Sequence, residues 1–159
     1  MRQTSAVLFL LFPVAALLAA CGRGEPAPTA AVLATSTVAT ATVGGATLQA
    51  SSVAIANLDP AMAARYGFDP GHDGALLLVT LRDGNGDALP PADLQLTATA
   101  RVLPDAPKPL ELQRIEVGNL IDYVGVFPAR PPASVQFHVT ASRSGARAEM
   151  DTTAELYPR

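Results

Sequence analysis

Alternation of apolar and polar residues dominates the chain from residue 47 to 159. Leu94, Leu96, Ala98, Ala100 and Val102 alternate with Gln95, Thr97, Thr99 and Arg101, the two-residue period of a strand with one buried face. Val135, Phe137, Val139 and Ala141 alternate with Gln136, His138, Thr140 and Ser142 in the same way, and the pattern returns from Ala146 to Leu156. The run 75–81 is apolar on both faces, as a central strand would be. Leu120 to Phe127 predicts a further strand, stopped by Pro128, and an opening strand is expected over 48–56. Leu110 and Leu112 set one phase while Ile115 and Val117 set the other, which a bulge near Gln113-Arg114 would reconcile. The expectation is an all-β fold: an antiparallel immunoglobulin-like sandwich of about seven strands. With one cysteine and no tryptophan, the usual disulfide and core indole of that fold are missing, and a barrel stays open as the alternative.

One segment breaks the alternation. Asp59-Pro60-Ala61-Met62-Ala63-Ala64-Arg65-Tyr66-Gly67 predicts one short helix after the first strand. Asp59 can accept from the first free amides, Pro60 fits the first turn, and Gly67 suits a left-handed stop. Met62 and Tyr66 fall four apart on one face. The helix is expected to plug one end of the sandwich, the sharper alternative being a ligand lid with Tyr66 as a stacking platform.

Ahead of the alternating region the chain has a different character. Residues 21–46 are rich in Ala, Thr, Pro and Gly, with no sustained apolar period, and read as a disordered tether. Residues 1–20 have a positive start at Arg2, an apolar stretch from Ala6 to Ala20 and small residues before Cys21, the only cysteine. The run Leu18-Ala19-Ala20-Cys21 resembles a bacterial lipoprotein cleavage box. The resemblance implies removal of residues 1–20 as a signal peptide, lipidation of Cys21 and a membrane anchor. Lipoproteins of this kind carry three acyl chains, and each buried methylene contributes ~0.8 kcal/mol, so such an anchor holds firmly. Gly22 rather than aspartate follows Cys21, which by the enteric rule favours the periplasmic face of the outer membrane.

Composition narrows the partners. The 159 residues carry a formal net charge of −3, with Lys108 the only lysine and no basic patch, so nucleic acid is not an expected partner. Once leader and tether are set aside, residues 47–159 suffice for one hydrophobic core.

Leu58-Asp59-Pro60-x-x-Ala63-x-x-Tyr66-Gly67-Phe68, followed by Leu76-Leu77-Leu78-Val79, resembles an uncharacterised family of proteobacterial periplasmic proteins with an L-x-P-x-x-A-x-x-Y-G-[IF] segment. Gly118-Asn119-Leu120-Ile121-Asp122-Tyr123 with Phe127-Pro128 looks like the same family's glycine-to-aromatic strand. The resemblance spans about 51–157. It implies a compact β-rich periplasmic domain of unknown function, with no assigned activity or cofactor.

Candidate chemistry is sparse. The chain has no G-x-S-x-G elbow and no phosphate-cradling glycine loop. Of two histidines, His138 lies on the polar face of its strand and His72 in a Gly/Asp/Pro loop. Ser144 precedes Gly145 in an expected hairpin turn. Asp83, Asn85 and Asp87 place oxygens at alternate positions, as a calcium loop begins. Ala88 and Leu94 then stand where such a loop needs glycine and glutamate, and Asp-Gly and Asn-Gly favour a plain turn. Asp69, His72 and Asp73 form a second small cluster with the same bland alternative. No cofactor, metal or catalytic residue is expected. The functional expectation is a non-catalytic interaction module in the cell envelope with a protein partner. A small-ligand or lipid carrier is the alternative, and a hydrolase using Asp residues and His72 comes third.

Overall fold

The computed structural model describes residues 37–159 apart from Pro70 and Ala92. Among the described residues nine strands form two antiparallel sheets: β1 (Val38–Val43), β2 (Ala46–Ala54), β3 (Ala75–Arg82), β4 (Gln95–Val102), β5 (Lys108–Leu110), β6 (Gln113–Val117), β7 (Leu120–Phe127), β8 (Ala133–Arg143) and β9 (Ala146–Leu156). One sheet runs β1-β2-β3-β7-β6 and the other β5-β4-β8-β9. The expected antiparallel sandwich is therefore observed, and the strand count differs from seven for two local reasons.

The first reason is β1. The reading of 21–46 as a disordered tether fails at its end, because Val38–Val43 pairs in register with Ala46–Ser51 of β2. Gly44 and Gly45, at φ 52° and 76°, supply the two left-handed positions of a tight hairpin. The inward residues of β1 are Ala39, Ala41 and Val43, and small side chains give a weak apolar signal that only becomes burial once β2 and β9 flank it. Cys21, the leader and the earlier part of the tether lie outside the described residues.

The second reason is the phase change near Gln113. It is not a bulge within one strand. β5 pairs with β4 in one sheet, Glu111 and Leu112 carry the chain across, and β6 pairs with β7 in the other. The apolar residues change phase because the chain changes sheet.

The main core lies between the sheets. Leu48, Leu77, Val79 and Leu81 meet Val135, Phe137, Val139 and Met150, all buried; full burial of such a side chain stabilises by about 1.5–3 kcal/mol. Where the crossover closes over β7, Gly125 leaves the room. A Cβ there would sit 2.8 Å from Leu110 Cδ2 and 3.0 Å from Leu112 Cδ2.

β3 is apolar on both faces because both are covered. Leu76 on its other face joins Val124, Ile55, Leu58 and Ala63 in a second buried cluster, with Tyr66, Phe68, Leu78 and Ile115 around it. The helix α1 (Pro60–Tyr66) thus packs on the outer face of the five-stranded sheet and does not plug an end of the sandwich. Its ends follow the sequence expectation. Asp59 Oδ1 accepts from the Ala61 amide at 2.8 Å, Gly67 adopts φ 72°, and the Phe68 amide donates back to Ala63 at 2.9 Å, closing the last turn.

Candidate functional site

Three features of the five-stranded sheet stand out, and none rests on the residues singled out for metal or catalysis. On the outer face, β3 and β7 pair Thr80 with Asp122, which sets Arg82 diagonally across from Asp122. Arg82 Nη2 donates to Asp122 Oδ1 at 3.4 Å, and the Tyr66 hydroxyl donates to Oδ2 at 3.3 Å. Arg82 Nη1 also donates to the Leu81 carbonyl at 2.7 Å. The Asp122 side chain is 8% exposed and that of Arg82 22%. A buried carboxylate needs such partners. Burial first, then the negative Asp122, raises the Tyr66 hydroxyl above its ordinary 10.0; Arg65 and Arg82 pull the other way. Tyr66 is therefore a tether from α1 to the sheet, its ring tilted 33° against Phe68 at 6.5 Å between centroids. The sequence contained one signal for this network: a carboxylate at position 122 within a strand of otherwise apolar and aromatic residues.

The second feature is a groove of 490 Å³ beside the sheet switch, walled by Phe68, Leu110, Val124, Val126, Phe127 and Pro128 and rimmed by Lys108, Glu111 and Gln113. β6 pairs with β7 only from Leu120 to Val124. The last residues of β7, Gly125 to Phe127, pair with β3 on one side, and no described strand pairs with them on the other. Val126 is 37% exposed there.

The third feature is β6 itself, the end strand of its sheet. It carries Arg114 and Glu116, ion-paired with each other and both well exposed.

The residues expected as ligands or turns fold as turns. Asp83 Oδ1 accepts from the amides of Asn85 and Asp87 at 2.8 and 2.9 Å, and the Asp83 amide donates to the Asp87 carbonyl at 2.9 Å. Asp69 Oδ1 accepts from the Gly71 amide at 2.8 Å, and its other oxygen lies 3.3 Å from His72 Nδ1, with both side chains exposed. Among the described residues no three His, Cys, Asp or Glu gather as a metal cluster. His138 sits on the polar face of the four-stranded sheet, 2.8 Å from Asp151. Ser144 lies in the β8–β9 turn at φ 49°. Its hydroxyl donates to Asp93 at 2.7 Å, and this bond, then that from Arg143, holds the Asp93 carboxyl below its ordinary 3.8.

These elements define a class: a two-sheet antiparallel β-sandwich with a helix packed on one outer face. The chain belongs to the DUF4426 family, a domain of unknown function, whose family model matches residues 40–159. That span begins inside β1, and it includes the capped helix and the β7 strand that carry the family resemblance. A crystal structure of a DUF4426 family protein from Pseudomonas aeruginosa PAO1 has the same fold, with 16% identity, a TM-score of 0.57, and coverage of 77% of this chain and 97% of that one. No curated protein matches the chain.

Proposed function

We propose that the protein is a non-catalytic interaction module of the bacterial cell envelope, lipid-anchored through Cys21 at the periplasmic face of the outer membrane. The leader before Cys21 supports the anchor. The observation that carries the interaction reading is the groove whose floor is the unpaired end of β7. An unpaired strand edge beside apolar side chains suits an extended segment of a protein partner, because backbone bonds and side-chain pockets are offered together. The same walls favour a second reading, a carrier of a small amphiphile.

Crosslinking in intact cells with tagged full-length protein, beside Cys21→Ser, tests the proposal. The wild type is expected in the membrane fraction with one enriched protein partner, and Cys21→Ser is expected in the soluble fraction with that partner diminished. A Cys21→Ser protein that stays in the membrane pellet sinks the anchor. A folded, membrane-bound protein that enriches nothing but co-purifies with lipid moves the role to the carrier.

A further inference from the structure

The outer edge of β6 is unpaired among the described residues, and unpaired edges in natural proteins are covered, charged or used. Its sequence is Gln113-Arg114-Ile115-Glu116-Val117. We propose that two copies of this chain pair antiparallel through β6 about a twofold axis at Ile115. This joins their five-stranded sheets into one continuous sheet. The inference stands apart from the lipid anchor and from the groove.

Geometry and charge select this register. A twofold axis perpendicular to the sheet keeps each face on its own side, so only residues of the same face can oppose one another. Ile115 lies opposite Asp122, on the helix-covered face, while Arg114 and Glu116 lie opposite Tyr123 and Ile121, on the other. The permitted axes therefore pass through a residue. An axis at Arg114 sets two guanidinium groups against each other, and one at Glu116 sets two carboxylates together; like charges directly opposite are unfavourable. An axis at Ile115 matches the whole length of β6. It sets Arg114 of each copy against Glu116 of the other, twice, with Ile115 against its own copy. The charges that face each other within one strand then exchange partners across the interface. Ile115, half-buried at the margin of the second core, becomes covered, and the two helix-bearing cores abut.

The same Arg and Glu could instead serve only to keep other strands away, and charge reversal separates the two roles. Full-length protein in detergent, followed by sedimentation velocity across micromolar concentrations, is expected to show a monomer–dimer equilibrium. Arg114→Glu and Glu116→Arg each place like charges opposite and should weaken the dimer by about tenfold or more, while the double variant R114E/E116R restores it. All of these side chains are exposed, and thermal melts check that each variant folds. In the intact envelope, Ile115→Cys should yield a disulfide-linked dimer on mild oxidation and Gln113→Cys should not, because only a residue on the axis meets itself. A protein monomeric throughout overturns the proposal. So does a dimer indifferent to the single reversals, a double variant that stays weak, or crosslinking at Gln113 in place of Ile115.

Discussion

Gly74→Ala will lower the melting temperature by about 10 °C. Gly74 immediately precedes β3, whose first residue, Ala75, pairs with Phe127 at the end of β7. A Cβ at this position would lie 2.7 Å from the Phe127 carbonyl oxygen, 3.3 Å from Ile55 Cδ1 and 3.4 Å from Pro128 Cα. The nearest obstacle is backbone. It cannot swing aside as a side-chain tip can, and it belongs to a strand paired along its length with β3. Overpacking costs about 1–3 kcal/mol, and a backbone obstacle puts this site near the upper end. For a domain of this size, ~3 kcal/mol converts to roughly 10 °C. Gly84→Ala is the control, since nothing lies within 4 Å of a Cβ there, and it should change the stability by no more than about 0.5 kcal/mol. Calorimetry of both variants decides it; equal melting temperatures would mean that the two strand ends are not held as closely as the structure places them.

Asp122→Ala is expected to cost about 2–3 kcal/mol. Removing one member of a fully buried ion pair costs ~3–5 kcal/mol. The lower figure applies because the Arg82 side chain retains some contact with solvent. The loss has two sources: Arg82 is left without its carboxylate, and the Tyr66 hydroxyl loses its acceptor. Asp122→Asn keeps a side-chain oxygen for Tyr66 and should lose less. The alkaline limb adds an independent readout. The folded protein holds the Tyr66 proton more tightly than the unfolded chain does. The contribution is therefore fully present below pH 10.0, the unfolded value, and is lost as pH rises through the higher folded value. Tyr123 acts in the same direction through burial, against an opposing Arg114. Urea unfolding at pH 7, 9 and 10.5 should show stability falling above pH 10 in the wild type, with a shallower fall in Tyr66→Phe. An identical alkaline slope in that variant would remove Tyr66 from the network.

Much of the fold is legible in the sequence because its signals are local. The two-residue periods of 94–102, 135–142 and 146–156 correspond to β4, β8 and β9, and Asp59 and Gly67 bound the helix as their chemistry suggests. The turn alternative for Asp83, Asn85 and Asp87 is equally local and is what the structure holds. What escapes a reading of the sequence depends on contacts between distant residues. β1 has only alanine and valine to bury, so its membership of the sheet is decided by β2. The place of α1 is implicit in Leu76 and Leu78, which face away from the inter-sheet core and need a cover, but period alone does not say which element supplies it. Tyr66 and Arg82 reach Asp122 across 56 and 40 residues of sequence. The β3–β7 register sets Arg82 beside Asp122 and the packing of α1 on that sheet brings Tyr66 to it, which is why Tyr66 reads as a stacking platform in the sequence and is a strut in the fold.

The position of β1 bears on how the molecule would carry load. β1 and β6 are opposite edges of one sheet, and β1 begins at the open end of its hairpin, where Val38 faces Ser51. A chain held at the membrane on its N-terminal side and gripped by a second copy along β6 would be pulled across its strands. Under that direction of tension the hydrogen bonds of the hairpin break in succession from Val38, as in a zip, instead of sharing the strain. β1 would then act as a mechanical fuse. Its six residues, at ~3.4 Å each, would give about 20 Å of extension while the sandwich core stays closed. Single-molecule stretching between these two edges should register that step as a low-force release ahead of the main unfolding event.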